Sequence, residues 1–312
     1  MHFFLYALKT PLILVVIISI LLPACDQKTV SKVRTHKVFV TINPQKFLVQ
    51  RIAGDTLQVG LLIPAGVDMH NFEPTPQQIL ELNQVDVWFR IGESIESKVL
   101  EAIKSHKSQI EVVDIQQGLP LISMTASDHH SNHHTHSSAE GYDVHTWLNP
   151  QLLKEQAITI ANSLKIHYPE SAILYQKNLE KLLTDIDALH CEIKELLSFA
   201  KGKYLLVSHA AFTYFCQEYG LKQLSLEYEG KDPTVKQLSK ILDKAHKYQL
   251  KLIFVEENSN DKGAYLVAQH IGAKVVEVKP LGFEVLDNLR FIAEKIALEY
   301  RSDSEMFQKK AE

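Results

Sequence analysis

Between residues 169 and 200, apolar side chains recur at Ala172, Tyr175, Leu179, Leu182, Ile186, Leu189, Ile193 and Leu196, and neither glycine nor proline follows Pro169. Steps of three and four mark one face of an α-helix. About 30 residues at 1.5 Å each would make a rod of ~45 Å. A rod that long cannot bend freely, so it predicts two bodies held on a stiff strut. On either side of it, short apolar runs alternate with helical patterns, as in α/β folds with parallel sheets. Strands are expected at 38–42, 59–63, 85–91 and 110–115 in the first half. Their counterparts in the second half fall at 204–207, 223–228, 252–255 and 274–278. Thr75-Pro76-Gln77-Gln78 carries the signature of a capped helix start, and Asn149-Pro150 and Asp232-Pro233 carry similar ones.

The chain therefore divides into an N-terminal α/β lobe at 37–168, a connecting helix at 169–200 and a C-terminal α/β lobe at 201–312. The first residues belong to neither lobe. Residues 11–22 form a hydrophobic run of 12, with Lys9 the only Lys, Arg, Asp or Glu before it. That is short of the ~20 residues that span a bilayer, and it suits the core of a signal peptide. Leu22-Pro23-Ala24-Cys25 then resembles a bacterial lipobox. Residues 1–24 are expected to be removed as a lipoprotein signal peptide, with Cys25 lipidated and 25–36 left as a polar tether. The mature protein would sit in the periplasm, or on the outer face of the cytoplasmic membrane, held by its lipid.

A formal net charge of −4, with no long basic run, argues against nucleic acid as a partner. Three cysteines are too few for a disulfide scaffold. Cys191 and Cys216 read as two separate small hydrophobes. The chain has no HExxH, no G-x-S-x-G, no G-x-G-x-x-G and no P-loop, so zincin, serine-hydrolase, dinucleotide and nucleotide-hydrolysing readings lose their usual support.

Histidine stands out, with 15 in the chain. Five of them, His129, His130, His133, His134 and His136, crowd into 128–136, a low-complexity loop that could collect metal weakly. Three others are isolated at the predicted edges of sheets: His70, His145 and His209. In parallel α/β sheets, ligands collect beyond the carboxyl ends of the strands, so all three could converge on the cleft between the lobes. Glu73 and Asp143 lie close enough in sequence to orient the imidazoles. His106, His167, His190, His246 and His270 read as surface or capping residues.

The segments around these three histidines carry a family resemblance. GVDMHNFEPTP resembles the pattern G-x-D-P-H-x-[YF]-E-P-T-P, DVHTWLNP resembles D-P-H-x-W-L-[DN]-P, and SHAAFTYFCQEYGL resembles H-x-A-F-x-Y-F…Y-G-L. Farther on, LEYEGKDPTVKQL, LIFVEENSN and VKPLG are similar to three further stretches of the same family. These patterns belong to the metal-binding lipoproteins of bacterial zinc and manganese ABC importers, the cluster of substrate-binding proteins that includes the zinc-uptake and treponemal metal-binding members. The likeness covers essentially the whole mature chain.

The resemblance implies two lobes bridged by a long helix, with metal in the cleft between them. It implies His70, His145 and His209 as ligands. The family's acidic fourth position falls on Lys279, whose ammonium repels a cation. Lys279 would then turn away toward Glu256 or Glu257, leaving water or another carboxylate (Glu73, Asp143 or Glu256) as fourth partner. Asp287 is the alternative if the register is displaced. Three imidazoles favour Zn²⁺ over Mn²⁺, with Fe²⁺ behind both. Affinity would fall below about pH 6.5, where imidazole ordinarily protonates.

The expected role is capture of Zn²⁺ and its delivery to a membrane permease driven by a separate ATPase subunit, with no reaction catalysed and the protein a monomer. Two other classes remain open at this point. A zinc hydrolase would need a general base, for which Glu73 is the obvious candidate. A surface adhesin would need none of the three histidines.

Overall fold

The computed structural model describes residues 36–105, 109–123, 141–227, 233–257 and 261–311, with side chains up to Arg301. The proposed signal peptide, Cys25, almost all of the tether, His106 and the 128–136 histidine loop lie outside these residues.

Two four-stranded parallel sheets carry the fold. The first contains β1 (His36–Val40), β2 (Leu57–Leu61), β3 (Val87–Arg90) and β4 (Glu111–Asp114) in the order β2-β1-β3-β4. The second contains β5 (Tyr204–Val207), β6 (Lys222–Ser225), β7 (Leu252–Glu256) and β8 (Lys274–Val278) in the order β6-β5-β7-β8. Every pair is parallel. In each sheet the chain runs first to one side of its opening strand and then to the other. That places a topological switch point, and so a ligand crevice, beside β1 and beside β5. All eight expected strands are present, with ends displaced by at most three residues.

Helices α1 (Asn43–Ala53), α2 (Pro76–Leu82), α3 (Ser94–Ser105) and α4 (Pro150–His167) belong to the first half. The connecting helix is α5 (Ala172–Leu196). Helices α6 (Thr213–Tyr219), α7 (Val235–Lys247), α8 (Lys262–Ile271) and α9 (Val285–Ala311) follow it. The expected 30-residue helix is shorter: α5 has 25 residues, about 37 Å of rod, with single 3-10 turns at 169–171 and 198–200. The missing residues are those at the two ends, where the regular ladder tightens into 3-10 geometry. Its buried face (Tyr175, Leu179, Leu182, Ile186, Leu189, Ile193) is the one its periodicity predicts. Helix α9, with 27 residues, has no counterpart among the sequence expectations.

Two of the three expected caps form. Thr75 accepts from the Gln78 amide at 3.3 Å while its own N–H donates to Gln78 Oε1 at 2.8 Å, a reciprocal box. Asn149 Oδ1 accepts from Gln151 N at 2.8 Å, with Pro150 in the first helical position. At the third start the cap is Thr234 instead, whose N–H donates to Gln237 Oε1 at 2.8 Å. Asp232 lies outside the described residues.

One apolar cluster runs from the first sheet through α4, α5 and the buried part of α9 to Phe212, Phe215 and Phe254. A smaller one lies on the outer side of the second sheet, around Leu206, Ile241, Ile253 and Val267. The strut is thus part of a shared core that both sheets bury against. Among the described residues, no helix is long and apolar enough to cross a membrane. Cys191 is exposed and Cys216 buried, and both are free.

Candidate metal centre

His70 lies in the loop between β2 and α2, His145 opens the 3-10 turn 146–148 ahead of α4, and His209 follows β5 directly. The structure brings the three together: each offers a ring nitrogen within 4.8 Å of the others'. His70 Nε2 stands 3.1 Å from His209 Nε2, which stands 3.4 Å from His145 Nε2. Two nitrogens bound at ~2.05 Å to a tetrahedral ion are roughly 3.3 Å apart, so the spacing fits a single zinc-sized cation.

Each ring also has a carboxylate behind it, on Nδ1. Glu93 Oε1 is 3.3 Å from His70, Asp143 Oδ1 is 2.7 Å from His145, and Glu227 Oε2 is 2.6 Å from His209. A carboxylate on Nδ1 places the proton there and leaves the Nε2 lone pair facing inward, which a metal requires. Asp143 fills the orienting role its place in sequence suggested. Glu93 and Glu227 went unread, although each sits where the strand-end rule points: Glu93 just after β3, Glu227 just after β6. Glu227 even lies within a motif quoted for the family.

Local structure explains how these groups are held. Gly92 turns the chain out of β3 with φ +80°, a conformation that costs glycine little. Glu96 pins this corner, accepting from Thr41 Oγ1 at 2.5 Å, Ile91 N at 3.0 Å and Gly92 N at 2.7 Å. Burial pushes its carboxyl up to about 7 against these hydrogen bonds and the nearby Arg90. On the His145 side, the Tyr214 hydroxyl donates to Asp143 O at 2.7 Å and accepts from Ile122 N at 2.9 Å. Trp147 Nε1 donates to Pro280 O at 2.9 Å and Asn149 Nδ2 to Glu218 Oε2 at 3.1 Å. The His145 segment is therefore tied to the C-terminal half at three points.

The electrostatics of the rings differ. Burial holds His145 below the usual imidazole value and outweighs Asp143, which pulls the other way. Burial also acts against protonation of His209. There the hydrogen bond that the ring donates to Glu227 and the charges of Glu256, Glu227 and Asp68 prevail, raising it to about 9. Asp68 is itself held low, the Asn71 and His70 hydrogen bonds and both histidine charges outweighing its burial.

The remaining candidates scatter. Glu73 is 81% exposed and meets Lys98 at 3.4 Å, so it stands in solvent as neither ligand nor base. Lys279 pairs with Glu257 at 2.7 Å, turned away as its charge requires. Asp287 bonds Arg290 at 2.9 Å on an exposed helix face. Glu256 ends β7 and reaches His209 through its charge rather than by contact. His167 contacts Glu111, His190 contacts Tyr219 and Glu218, and His246 stacks obliquely near His270, all apart from the cluster.

Two α/β lobes with three convergent imidazoles at their strand ends define a metal-binding protein of the two-lobed substrate-binding class. The chain belongs to the family described as zinc-uptake complex component A, periplasmic, whose model matches residues 38–295. It is 31% identical to a putative metal-binding protein of Chlamydia muridarum over 84% of this chain and 90% of the relative. It is 29% identical to the zinc-binding protein AdcA of Streptococcus pyogenes serotype M3, over 78% of this chain and 50% of that longer protein. A solved structure described as ZnuA superposes with a TM-score of 0.76 at 30% identity, covering 84% of this chain and 98% of the other.

Proposed function

We propose that this protein captures Zn²⁺ between its lobes outside the cytoplasmic membrane and delivers it to the permease of an ABC importer. The metal is cargo, and no reaction on it is needed. The observation that carries this reading is the meeting of three imidazoles, with the His209 Nε2 at near-tetrahedral spacing from those of His70 and His145 and each ring backed by a carboxylate. An all-nitrogen donor set suits zinc better than manganese, which prefers more oxygen. His70, His145 and His209 are the proposed ligands, with water in the fourth position. The exposure of Glu73 removes the base on which a hydrolase would depend.

Domain limits at 37–168, 169–200 and 201–312, lipid attachment at Cys25, a separate ATPase subunit, a monomeric state and metal collection by the 128–136 loop belong to the same proposal. The ties from the His145 segment to Tyr214, Pro280 and Glu218 support a small lobe shift or loop reordering on release, rather than a wide hinge. Competitive titration of the metal-free protein with Zn²⁺ and Mn²⁺ tests the reading. One tight site with zinc preferred is expected, retained when 128–136 is deleted and lost in His209→Ala. Preference for manganese, or tight binding that survives His209→Ala, would refute it.

A further inference from the structure

Of the three carboxylates behind the rings, Glu93 is in an unusual state. It is 0% exposed, yet both of its hydrogen bonds, to His70 Nδ1 at 3.3 Å and from Ser94 Oγ at 3.2 Å, fall on Oε1. Its Oε2 is buried without a hydrogen-bond partner. Asp143, similarly buried, bonds both the backbone N–H and the ring of His145, at 2.9 and 2.7 Å. A buried acceptor left unpaired costs the fold on the order of 1–3 kcal/mol. The fold nevertheless holds it there through Gly92 and Glu96, and a residue placed at such cost calls for a reason.

The geometry points to one. We infer that Glu93 is a positioning residue for metal capture: it holds His70 with Nε2 facing the cleft, and its burial penalty is offset only when a cation loads that ring. The inference rests on the metal-binding reading above. A cation on Nε2 draws electron density from the imidazole and makes Nδ1–H a charge-assisted donor, roughly doubling the strength of its bond to a carboxylate. The same carboxylate thereby weakens the empty protein through Oε2 and favours the loaded one through Oε1. Stability of the metal-free form and affinity for metal are opposed at this residue.

The test separates Glu93 from an ordinary structural residue by the signs of two effects. Glu93→Leu removes the unpaired oxygen while keeping a side chain of similar size in place; the part-exposed His70 and Ser94 can turn to water. Melting temperatures with and without saturating Zn²⁺, and zinc affinity by chelator competition, are to be measured on the mature chain. For the leucine variant, the metal-free melting temperature should rise by about 2–4 °C. Its zinc affinity should fall by about 10–100-fold, the usual cost of losing a partner behind a ligating histidine. Glu93→Gln, which keeps an acceptor toward Nδ1 but no charge, should lie between leucine and wild type in affinity. A leucine variant whose metal-free form melts no higher than wild type, or one that binds zinc as tightly, would overturn the inference. Failure of the wild-type protein itself to bind zinc would instead sink the functional reading.

Discussion

The two halves of the cleft use the same device and reach opposite results. In the N-terminal half, His145 and Asp143 are both buried, 2.7 Å apart, and the ring is held below the usual imidazole range by burial. In the C-terminal half, His209 and Glu227 are 2.6 Å apart, yet the ring is raised to about 9 despite burial. A short bond to a carboxylate is common to both, so it cannot be the cause of the difference. What differs is company. His209 also feels Glu256 and Asp68, and the Glu227 side chain is 35% exposed. In the proposed site, His145 would therefore serve as a neutral ligand ready in advance, whereas His209 would have to give up a proton to the incoming metal.

The largest effect that could break this contrast comes from removing the rings. His145→Ala and His209→Ala should each lower zinc affinity by more than the ~100-fold upper end for loss of an outer partner alone. They should differ in the empty protein. His145 is enclosed in the core, and His145→Ala should destabilise it by about 2–4 kcal/mol through cavity formation and an uncompensated Asp143. His209→Ala should cost less, because its partner Glu227 can turn to water. Chemical denaturation of both metal-free variants checks this, and equal losses would show that the two half-sites are energetically alike.

A smaller effect concerns pH. With the His209 value near 9 in the folded protein, the proposed metal binding should release its proton at pH values below that. Apparent zinc affinity should fall by up to about tenfold per pH unit from 9 downward, as linkage requires for one displaced proton. A fall confined to pH below about 6.5, as ordinary imidazole behaviour suggests, would instead mean that Glu227, Glu256 and Asp68 do not hold His209 up in solution. The stability of the empty protein follows the same group with the opposite sense. A raised folded value gives stability that is complete below about 6.5 and is lost as pH rises through about 9. Glu256→Gln should move the His209 titration, followed by imidazole NMR in the metal-free protein, down toward 6.5 while leaving His145 unchanged. An unmoved His209 would assign its basicity to Glu227 and Asp68.

What could be read from the sequence divides along the same physical lines. Eight strands were legible as short apolar runs, several buried along nearly their whole length as parallel sheets covered on both faces require, and the buried face of α5 from its steps of three and four. Helix α9 carries its stripe (Leu289, Ile292, Ala293, Ile296) at the same helical spacing, so it was no less legible, although no helix was expected there. The three histidines could be placed at strand ends, but their convergence came from family resemblance; separations of 75 and 64 residues carry no local spacing rule. Glu93 and Glu227 escaped because an acid after a strand is ordinarily a solvated residue. Only the ring behind which each one stands gives it meaning. At the start of α7 the cap is Thr234, whose hydroxyl is in register with Gln237, a signal two residues beyond the Asp232-Pro233 pair.

The finest distinction between the halves lies in how they are sewn together. The buried Tyr214 belongs to α6, from the C-terminal half, yet its hydroxyl sits between Ile122 N and Asp143 O of the N-terminal half. Tyr214→Phe keeps the ring and deletes both bonds, leaving a buried N–H and carbonyl without that partner. The cost should be about 1–3 kcal/mol, or a few degrees in melting temperature. Zinc affinity should change by less than tenfold, because Asp143 keeps both of its bonds to His145 through its side chain. If affinity instead falls as far as in a variant lacking the Asp143 carboxylate, the metal site is positioned by the seam between the halves. The carboxylates behind the rings would then be secondary, and the contrast between the two half-sites would reduce to a property of their shared border.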